Sequence, residues 1–279
     1  MTSRSETTSA EATPVRYRLV ALDLDSTLQP DGTLHPADII AIRTAHSLGA
    51  KVSLVSARPP RVAHRYWAQL GLGSPIIAFN GALVYDFPTQ KPVAGQAIEP
   101  EDLVEILRIV ADFDSGLGIG FESATSWATN RFGPVAEWRA KEIGQWPAEI
   151  GDLDAFLQKP VFQVWIDVDD DSMVQLEPKL SAIGLTLMRY THPDRLLLRS
   201  RAASRGWALS TLAHDLGVES FEVMVVGGGG LERSLVQAAA FSVVTSAVSD
   251  LDNSIAVSEN IAYSSGVAEA FKRFLVEDS

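Results

Sequence analysis

Short apolar runs and amphipathic stretches alternate along the first third of the chain. The apolar runs within residues 17–28, 51–60 and 75–86 predict buried strands, and the stretches between them have the apolar spacing of helices. A strand–helix–strand–helix–strand order favours a parallel sheet with helices on both faces. The same pattern resumes after residue 190 and includes the apolar run 223–226. The two ends of the chain therefore predict one doubly wound α/β domain.

The middle of the chain has a different pattern. Strand-like segments follow one another directly, with two helical stretches among them, which favours an antiparallel sheet with helices on one side. We therefore expect an inserted α+β domain at 88–190, a core formed by 16–87 and 191–279, and a disordered tail at 1–15. A cleft between the core and the insertion is the expected site.

Composition narrows the function classes. The formal charge is −12 over 279 residues, and such an acidic chain is poorly suited to nucleic acid or to an anionic membrane. An anionic ligand must then be captured by a local basic cluster. The chain has no cysteine, which fits a reducing cytoplasmic location and excludes thiolate chemistry. No apolar run approaches the roughly 20 residues that span a bilayer, and the first residues lack the apolar core of a signal peptide.

Polar residues cluster where the predicted parallel strands end. In doubly wound folds, ligands bind beyond these carboxyl ends. The candidates are Asp23, Asp25, Ser26, Thr27, Ser56, Arg58, Asn80, Gly81 and Arg205. Two carboxylates two positions apart on an extended segment point the same way, so one can attack while the other handles protons. Hydroxyl and guanidinium groups suit the oxygens of a phosphoryl group.

These residues stand in an order that resembles a known family. The stretch "DLDSTL" at 23–28 is similar to the first motif of haloacid dehalogenase-type phosphatases. It is followed by "VSAR", "IIAFNGALVYD", the insertion and "SRGWAL", an order similar to the Cof-like branch with its large α/β cap. The resemblance runs from about residue 17 to the end of the sequence. It implies a haloacid dehalogenase-like core, an inserted α+β cap domain, and a magnesium-assisted phosphatase reaction.

The resemblance also implies a role for each matching residue. Asp23 would be the nucleophile that forms an aspartyl-phosphate, and Asp25 would protonate the leaving group and then activate water. Ser56 would hold a phosphoryl oxygen. Arg205 stands where the family usually has lysine, which keeps the positive charge but gives it the planar fork of a guanidinium. The predicted substrate-side residues are Ser26, Thr27, Arg58, Asn80 and Gly81.

The fourth motif departs from the family. It usually has the form GDxxND, and its first acid completes the magnesium site with Asp23 and the backbone carbonyl of Asp25. In this chain the first acid is Gly228, the asparagine is Leu231 and the second acid is Glu232. The departure predicts a weakened magnesium site. Three replacements stay open: the longer Glu232 side chain, water molecules, or a carboxylate from Asp250 or Asp252.

Three functions are consistent with the sequence alone. The favoured one is hydrolysis of a small phosphorylated metabolite, such as a sugar phosphate or a phosphorylated cofactor. The alternatives are a retired phosphatase that binds a metabolite or a protein, and a metal-independent acid–base enzyme on the same scaffold. Arg195 and Arg199 share a strand face and are expected at solvent or against the cap, and Trp138 is expected in the core or at the cleft. The sequence carries no indication of oligomeric state.

Overall fold

The computed structural model describes residues 15–114, 116–191, 194–228, 231–245, 257–260 and 266–275. The predicted tail, the glycines at 229 and 230, and the acids at 250 and 252 therefore lie outside the described residues, apart from residue 15. No helix in the described part of the chain is long and apolar enough to cross a membrane.

The strands form two sheets. In chain order they are β1 (Leu19–Asp23), β2 (Lys51–Val55), β3 (Ile76–Ala78), β4 (Leu83–Asp86), β5 (Lys91–Gly95), β6 (Ile119–Glu122), β7 (Trp127–Thr129), β8 (Glu149–Ile150), β9 (Gln163–Asp167), β10 (Thr186–Thr191), β11 (Asp194–Arg199), β12 (Val223–Gly227), β13 (Phe241–Val244) and β14 (Glu259–Asn260).

The helices connect and cover these sheets. They are α1 (Leu24–Thr27), α2 (Pro36–Ser47), α3 (Pro60–Leu70), α4 (Pro100–Asp114), α5 (Pro134–Ile143), α6 (Asp154–Leu157), α7 (Asp170–Ser181), α8 (Arg205–Asp215), α9 (Arg233–Gln237) and α10 (Gly266–Phe274). Several begin at proline, whose fixed φ suits the first helical position, and α3 ends at Gly71 in the left-handed conformation with φ 68°.

The first sheet confirms the predicted doubly wound α/β core. Its strand order is β14-β13-β12-β1-β2-β3-β4-β5, and β1 lies parallel to β12 and β2. Alternate residues of β1 enter different apolar clusters. Val20 and Leu22 pack with residues of α2, α3 and α10, whereas Leu19 and Ala21 pack with residues of α8 and α9. Strands buried on both faces explain the continuous apolar runs in the sequence.

The second sheet has the order β10-β11-β9-β6-β7-β8 and is antiparallel except for the β7–β8 pair. One face packs against α4 and α7 through residues such as Ile106 and Leu176. On the other face, Trp165 and Leu197 pack with Val135 of α5 and with Val62 of α3. This face of the second sheet therefore packs against α3, a helix that also covers the first sheet.

Sheet membership differs from the expected boundaries at 88 and 190. Strand β5 extends the first sheet to Gly95 through its antiparallel pairing with β4. Strand β11 was expected to resume the core, but it pairs with β9 and β10 in the second sheet, because both of its edges find antiparallel partners there. The segment 75–86 gives two antiparallel strands rather than one, separated by Asn80 at φ 54°. The division into core and inserted cap remains a prediction.

Candidate active site

Strand β1 delivers Asp23 to the edge of the first sheet. The chain turns there into the single helical turn α1, and Asp23 is buried, with 3% of its surface exposed. One carboxylate oxygen, Oδ1, accepts a hydrogen bond from the backbone N–H of Asp25 at 3.2 Å. The Asp23 backbone carbonyl accepts from the hydroxyls of Thr27 at 2.7 Å and Ser26 at 3.3 Å. The two hydroxyls thus fix the turn that presents the pair of acids.

Helix α8 delivers the guanidinium of Arg205 to the same place. The helix begins after Ser204, whose hydroxyl accepts from the N–H of Trp207 at 3.0 Å. Arg205 Nη1 donates to Asp23 Oδ2 at 3.1 Å, and Nη2 donates to Asn80 Oδ1 at 2.9 Å. Arg205 therefore joins the end of β1 to the loop that follows β3.

Glycine at position 81 permits this approach. Its φ is 89°, a conformation that other residues rarely adopt, and a Cβ there would lie 2.3 Å from the backbone carbonyl of Ser204. The Asn80–Gly81 pair was predicted on the substrate side. In the structure, Gly81 sets the distance to α8, and Asn80 orients Arg205.

The loop after β2 holds the carboxylate of Asp25. Oδ2 accepts from the hydroxyl of Ser56 at 3.0 Å and from the N–H of Ala57 at 2.9 Å, and Oδ1 accepts from Arg58 Nε at 2.8 Å. Ser56 was expected to hold a phosphoryl oxygen, but in this structure its hydroxyl donates to Asp25. The Asp25 side chain remains 29% exposed, so it stays accessible from the neighbouring cavity.

The environment of Asp23 favours its protonated form relative to an ordinary aspartate. Burial raises the pKa of Asp23, the Arg205 guanidinium lowers it, and the negative charge of Asp25 raises it again. Burial is the largest of these effects, so the pKa is raised overall. Arg205 thus opposes the effect of burial on the Asp23 carboxyl group.

A cavity of about 290 Å³ opens beside these residues, between the two sheets. Asp25, Arg58 and Arg205 line it from the first sheet's side, and Arg139, Tyr190 and Arg195 line it from the second sheet's side. The first group, on the side of the first sheet, was predicted from the sequence. The second group was missed, because α5, β10 and β11 come together only through tertiary pairing.

Of the two positions expected for Arg195 and Arg199, solvent or the predicted cap, the structure excludes solvent. The two side chains are 8% and 6% exposed. Arg195 lines the cavity, and Arg199 donates to the backbone carbonyl of Ala203. Trp138 contacts the Arg195 guanidinium through its ring, which places Trp138 next to the cavity. Arg195 and Arg199 stand at the two ends of the run Leu196–Leu198, a pattern that by itself did not indicate the sheet to which β11 belongs.

Comparison with known proteins identifies the family. A model of the haloacid dehalogenase-like hydrolase family matches residues 20–270. The chain belongs to this family. It is 26% identical over 231 residues to the Bacillus subtilis protein named "Putative phosphatase YxeH", a match that covers 79% of this chain and 84% of that protein. It is 24% identical over 235 residues to the HMP-PP phosphatase of Serratia proteamaculans, covering 82% and 83%.

Solved structures share the fold of this chain. A haloacid dehalogenase-like hydrolase from Bacteroides thetaiotaomicron superposes with a TM-score of 0.81 at 19% identity, covering 92% of this chain and 99% of that one. A structure from Thermotoga maritima superposes with a TM-score of 0.80 at 16% identity, covering 94% and 98%. These likenesses confirm the fold predicted from the order of the motifs.

The fourth-motif loop of this haloacid dehalogenase-like hydrolase is packed against α1. The N–H of Gly228 donates to the Ser26 hydroxyl at 2.7 Å, and a Cβ at Gly228 would lie 2.7 Å from the Cβ of Ser26. Leu231 is 2% exposed and belongs to an apolar cluster with Leu235. Gly228, at the position of the family's first acid, is therefore in close contact with Ser26. Leu231, at the position of the family's asparagine, is a core residue.

The remaining acid of the motif faces a guanidinium. Glu232 Oε1 accepts from the hydroxyl of Ser234 at 2.7 Å, and Oε2 lies 3.8 Å from Nε of Arg205. Since Arg205 also bonds Asp23, its guanidinium bridges the two carboxylates. The longer Glu232 side chain thus approaches Arg205.

These residues do not fit a magnesium ion. Magnesium takes near-octahedral oxygen ligands at about 2.0–2.1 Å. One oxygen of Asp23 is bonded to Arg205 and the other to the Asp25 N–H, and Gly228 offers no side-chain oxygen. Within the described ranges, no group of three or more histidines and acids is arranged to hold a metal ion. The positive charge beside Asp23 comes from Arg205.

Proposed function

We propose that this haloacid dehalogenase-like hydrolase cleaves the phosphate monoester of a small metabolite through an aspartyl-phosphate on Asp23. The observation that carries the proposal is the contact between Asp23 and Arg205 at the edge of the first sheet, with Asp25 held beside it. Arg205 also lines the cavity beside Asp25, where its guanidinium can meet a phosphoryl oxygen.

The reaction proceeds in two displacements that use the two acids differently. The Asp23 carboxylate attacks phosphorus as the bond to the leaving oxygen breaks, and Asp25 gives that oxygen a proton. A water molecule, deprotonated by Asp25, then attacks the phosphorus and releases inorganic phosphate. Both carboxyl groups return to their starting states.

Guanidinium groups supply the positive charge in this scheme. Arg205 lies beside the nucleophile, and Arg58 lies beside the proton-transferring acid with its Nε 2.8 Å from Asp25. Both line the cavity, where they can neutralise phosphoryl oxygens as charge develops. The scheme routes no step through magnesium, because the described residues of the site do not fit it.

A second candidate function is binding without turnover. It is favoured by the three hydrogen bonds that hold the Asp25 carboxylate and by the absence of a side-chain oxygen at Gly228. An acid fixed in this way binds and orients a ligand well but transfers a proton only if it leaves one of its partners. The cavity and its arginines serve this function equally.

The discriminating experiment measures phosphate release from 4-nitrophenyl phosphate and from a panel of sugar and cofactor phosphates. The parent chain is compared with Asp23→Asn and with a control, Asp215→Asn, at an exposed acid at the end of α8. We expect Asp23→Asn to lose at least about a thousandfold in turnover, as removal of a nucleophile does in other hydrolases. Turnover that survives in Asp23→Asn contradicts the proposal. Phosphate binding by calorimetry without any turnover supports the second candidate.

A further inference from the structure

Three charged side chains that line the cavity are already bonded within the molecule. Asp25 is held by the loop after β2, and Arg205 donates to Asp23. On the side of the second sheet, Arg139 Nη2 lies 2.6 Å from Oε1 of the fully buried Glu122. These contacts fix the charges around the cavity before a ligand enters it.

A side-chain amide, that of Gln163, lines the same cavity. Gln163 is the first residue of β9, and 2% of its surface is exposed. Among the described residues, no hydrogen bond joins its side-chain amide to another group. Burying an amide without a partner costs free energy, and a ligand that bonds the amide recovers it. Because Gln163 borders the cavity, its amide is open to such a ligand.

The charged neighbours of Gln163 in the second sheet are bonded elsewhere. Glu122 stands opposite Gln163 in the register of β6 and β9, and its two carboxylate oxygens bond two arginines. On β11, Arg199 follows the residue that pairs with Val164, and its guanidinium donates to the backbone carbonyl of Ala203. The sheet around Gln163 therefore leaves its amide to the cavity.

The residue before Gln163 fixes its position relative to the reacting groups. The Phe162 ring stacks on the Phe79 ring, with centroids 6.0 Å apart. Phe79 directly precedes Asn80, whose side-chain oxygen accepts from Arg205 at 2.9 Å. The start of β9 is thus packed against the turn that orients the guanidinium beside the nucleophile.

The chemistry of an amide indicates the group that it would bind. The amide of Gln163 offers N–H donors and a carbonyl acceptor. A hydroxyl group can bond either of them, whereas a carboxylate can bond only the donors and an ammonium group only the acceptor. The cavity volume of about 290 Å³ lies at the small end of ligand sites, which run from about 300 to 1,000 Å³. A compact ester that fills this volume brings its own hydroxyl groups close to the lining.

We propose that Gln163 determines specificity by hydrogen bonding a hydroxyl group of the leaving alcohol. The inference rests on the proposed function for the phosphoryl end of the cavity. With the phosphoryl group against Asp23 and Arg205, the alcohol part of the ester extends toward the second sheet, where Gln163 lies. An ester without this hydroxyl leaves the buried amide unpaired and is therefore disfavoured.

The test compares two pairs of esters that differ only in their hydroxyl groups. The pairs are glycerol 3-phosphate with propyl phosphate, and erythritol 4-phosphate with butyl phosphate. Binding is measured by calorimetry on full-length Asp23→Asn, which holds the esters without turnover. We expect the hydroxylated member of at least one pair to bind about tenfold tighter or more. Adding Gln163→Met, which keeps the length of the side chain and removes its amide, should lower this preference by about the same factor.

Thermal unfolding separates a role in binding from a role in the fold. Because the Gln163 amide has no partner among the described residues, Gln163→Met should unfold at the temperature of its parent or above it. The matched control is Gln175→Met, which removes an exposed amide on α7 and should change neither the transition nor the preference. A transition in Gln163→Met that falls below that of the control would show that the amide supports the fold, and would overturn the inference.

The remaining outcomes separate this inference from the proposed function. Equal affinity within both pairs, no binding of any ester, or a preference that survives Gln163→Met overturns the inference. If the parent chain hydrolyses both members of each pair equally well, the proposed hydrolysis stands and the inference fails. If the preference depends on Gln163 but the parent chain releases no phosphate from these esters, the hydrolysis fails while the hydroxyl site stands.

Discussion

The carboxyl ends of β1 and β12 lie side by side in the first sheet, with Leu22 opposite Val226, yet they carry different chemistry. The β1 end keeps the acids Asp23 and Asp25 in the form expected of a haloacid dehalogenase-like hydrolase. The β12 end has Gly228 where the family usually has its first acid. Two neighbouring strand ends can therefore follow the family to different degrees while the fold around them is kept.

Two sets of contacts accompany the glycine at position 228. Arg205 bridges Asp23 and Glu232, so a fixed guanidinium lies where two carboxylates converge. Ser26 fills the space beside Gly228 and accepts its N–H at 2.7 Å. The loop after β12 is thus packed against α1, and the positive charge beside Asp23 comes from α8.

The largest expected effect is at the β1 end. In the proposed reaction Asp25 transfers protons to the leaving oxygen and from water, so Asp25→Asn should lower kcat/KM by about 10²–10⁴-fold. The assay is phosphate release from the best ester of the panel. A leaving group of low pKa should suffer less than an alkyl leaving group, because it needs no proton. An equal loss for both would argue that Asp25 only positions the loop after β2.

The next effect concerns Arg205, which lies between Asp23 and Glu232. The proposed reaction requires ionised Asp23, whose pKa is raised by burial. We therefore expect kcat/KM to rise with pH through a value above that of an ordinary aspartate, about 3.9. Arg205 lowers this pKa, and Arg205→Met should therefore move the acidic limb to higher pH and reduce the maximum. Arg205→Lys should hold the limb closer to its original position. A limb at unchanged pH in Arg205→Met would refute the assignment of the limb to Asp23.

The smallest effect concerns the loop after β12. Gly228→Asp places a Cβ 2.7 Å from that of Ser26, and such overpacking should lower the free energy of unfolding by about 1–3 kcal/mol. Adding Ser26→Gly should recover part of this loss, since it removes the opposing atom. We expect magnesium to raise the thermal transition of the double variant and to leave the parent unchanged. Magnesium stabilisation of the parent would show that its site is intact.

Part of this arrangement follows from sequence alone. The doubly wound α/β fold was predicted from the order of apolar runs, and the fold is confirmed. Residues at strand ends, such as Asp23 and Ser56, lie at one edge of the sheet because parallel strands deliver their carboxyl ends there. Arg205 joins them because α8 begins at that edge.

The second wall of the cavity did not follow from sequence. Strand β11 has an apolar pattern that suits either sheet, and its pairing with β9 and β10 depends on edges that no local pattern specifies. Arg195 was therefore placed outside the site. The Ser26–Gly228 contact was equally invisible, since it joins residues 202 positions apart.

The central claim is that the Arg205 guanidinium, and not a metal ion, supplies the positive charge beside Asp23. The most direct test is phosphate release by the parent chain in excess chelator and again with added magnesium. Asp23→Asn is run beside it to exclude a contaminating phosphatase. We predict turnover in chelator at the rate found with magnesium, and none in the variant. Turnover that appears only with magnesium would contradict this account and place a cation beside Asp23.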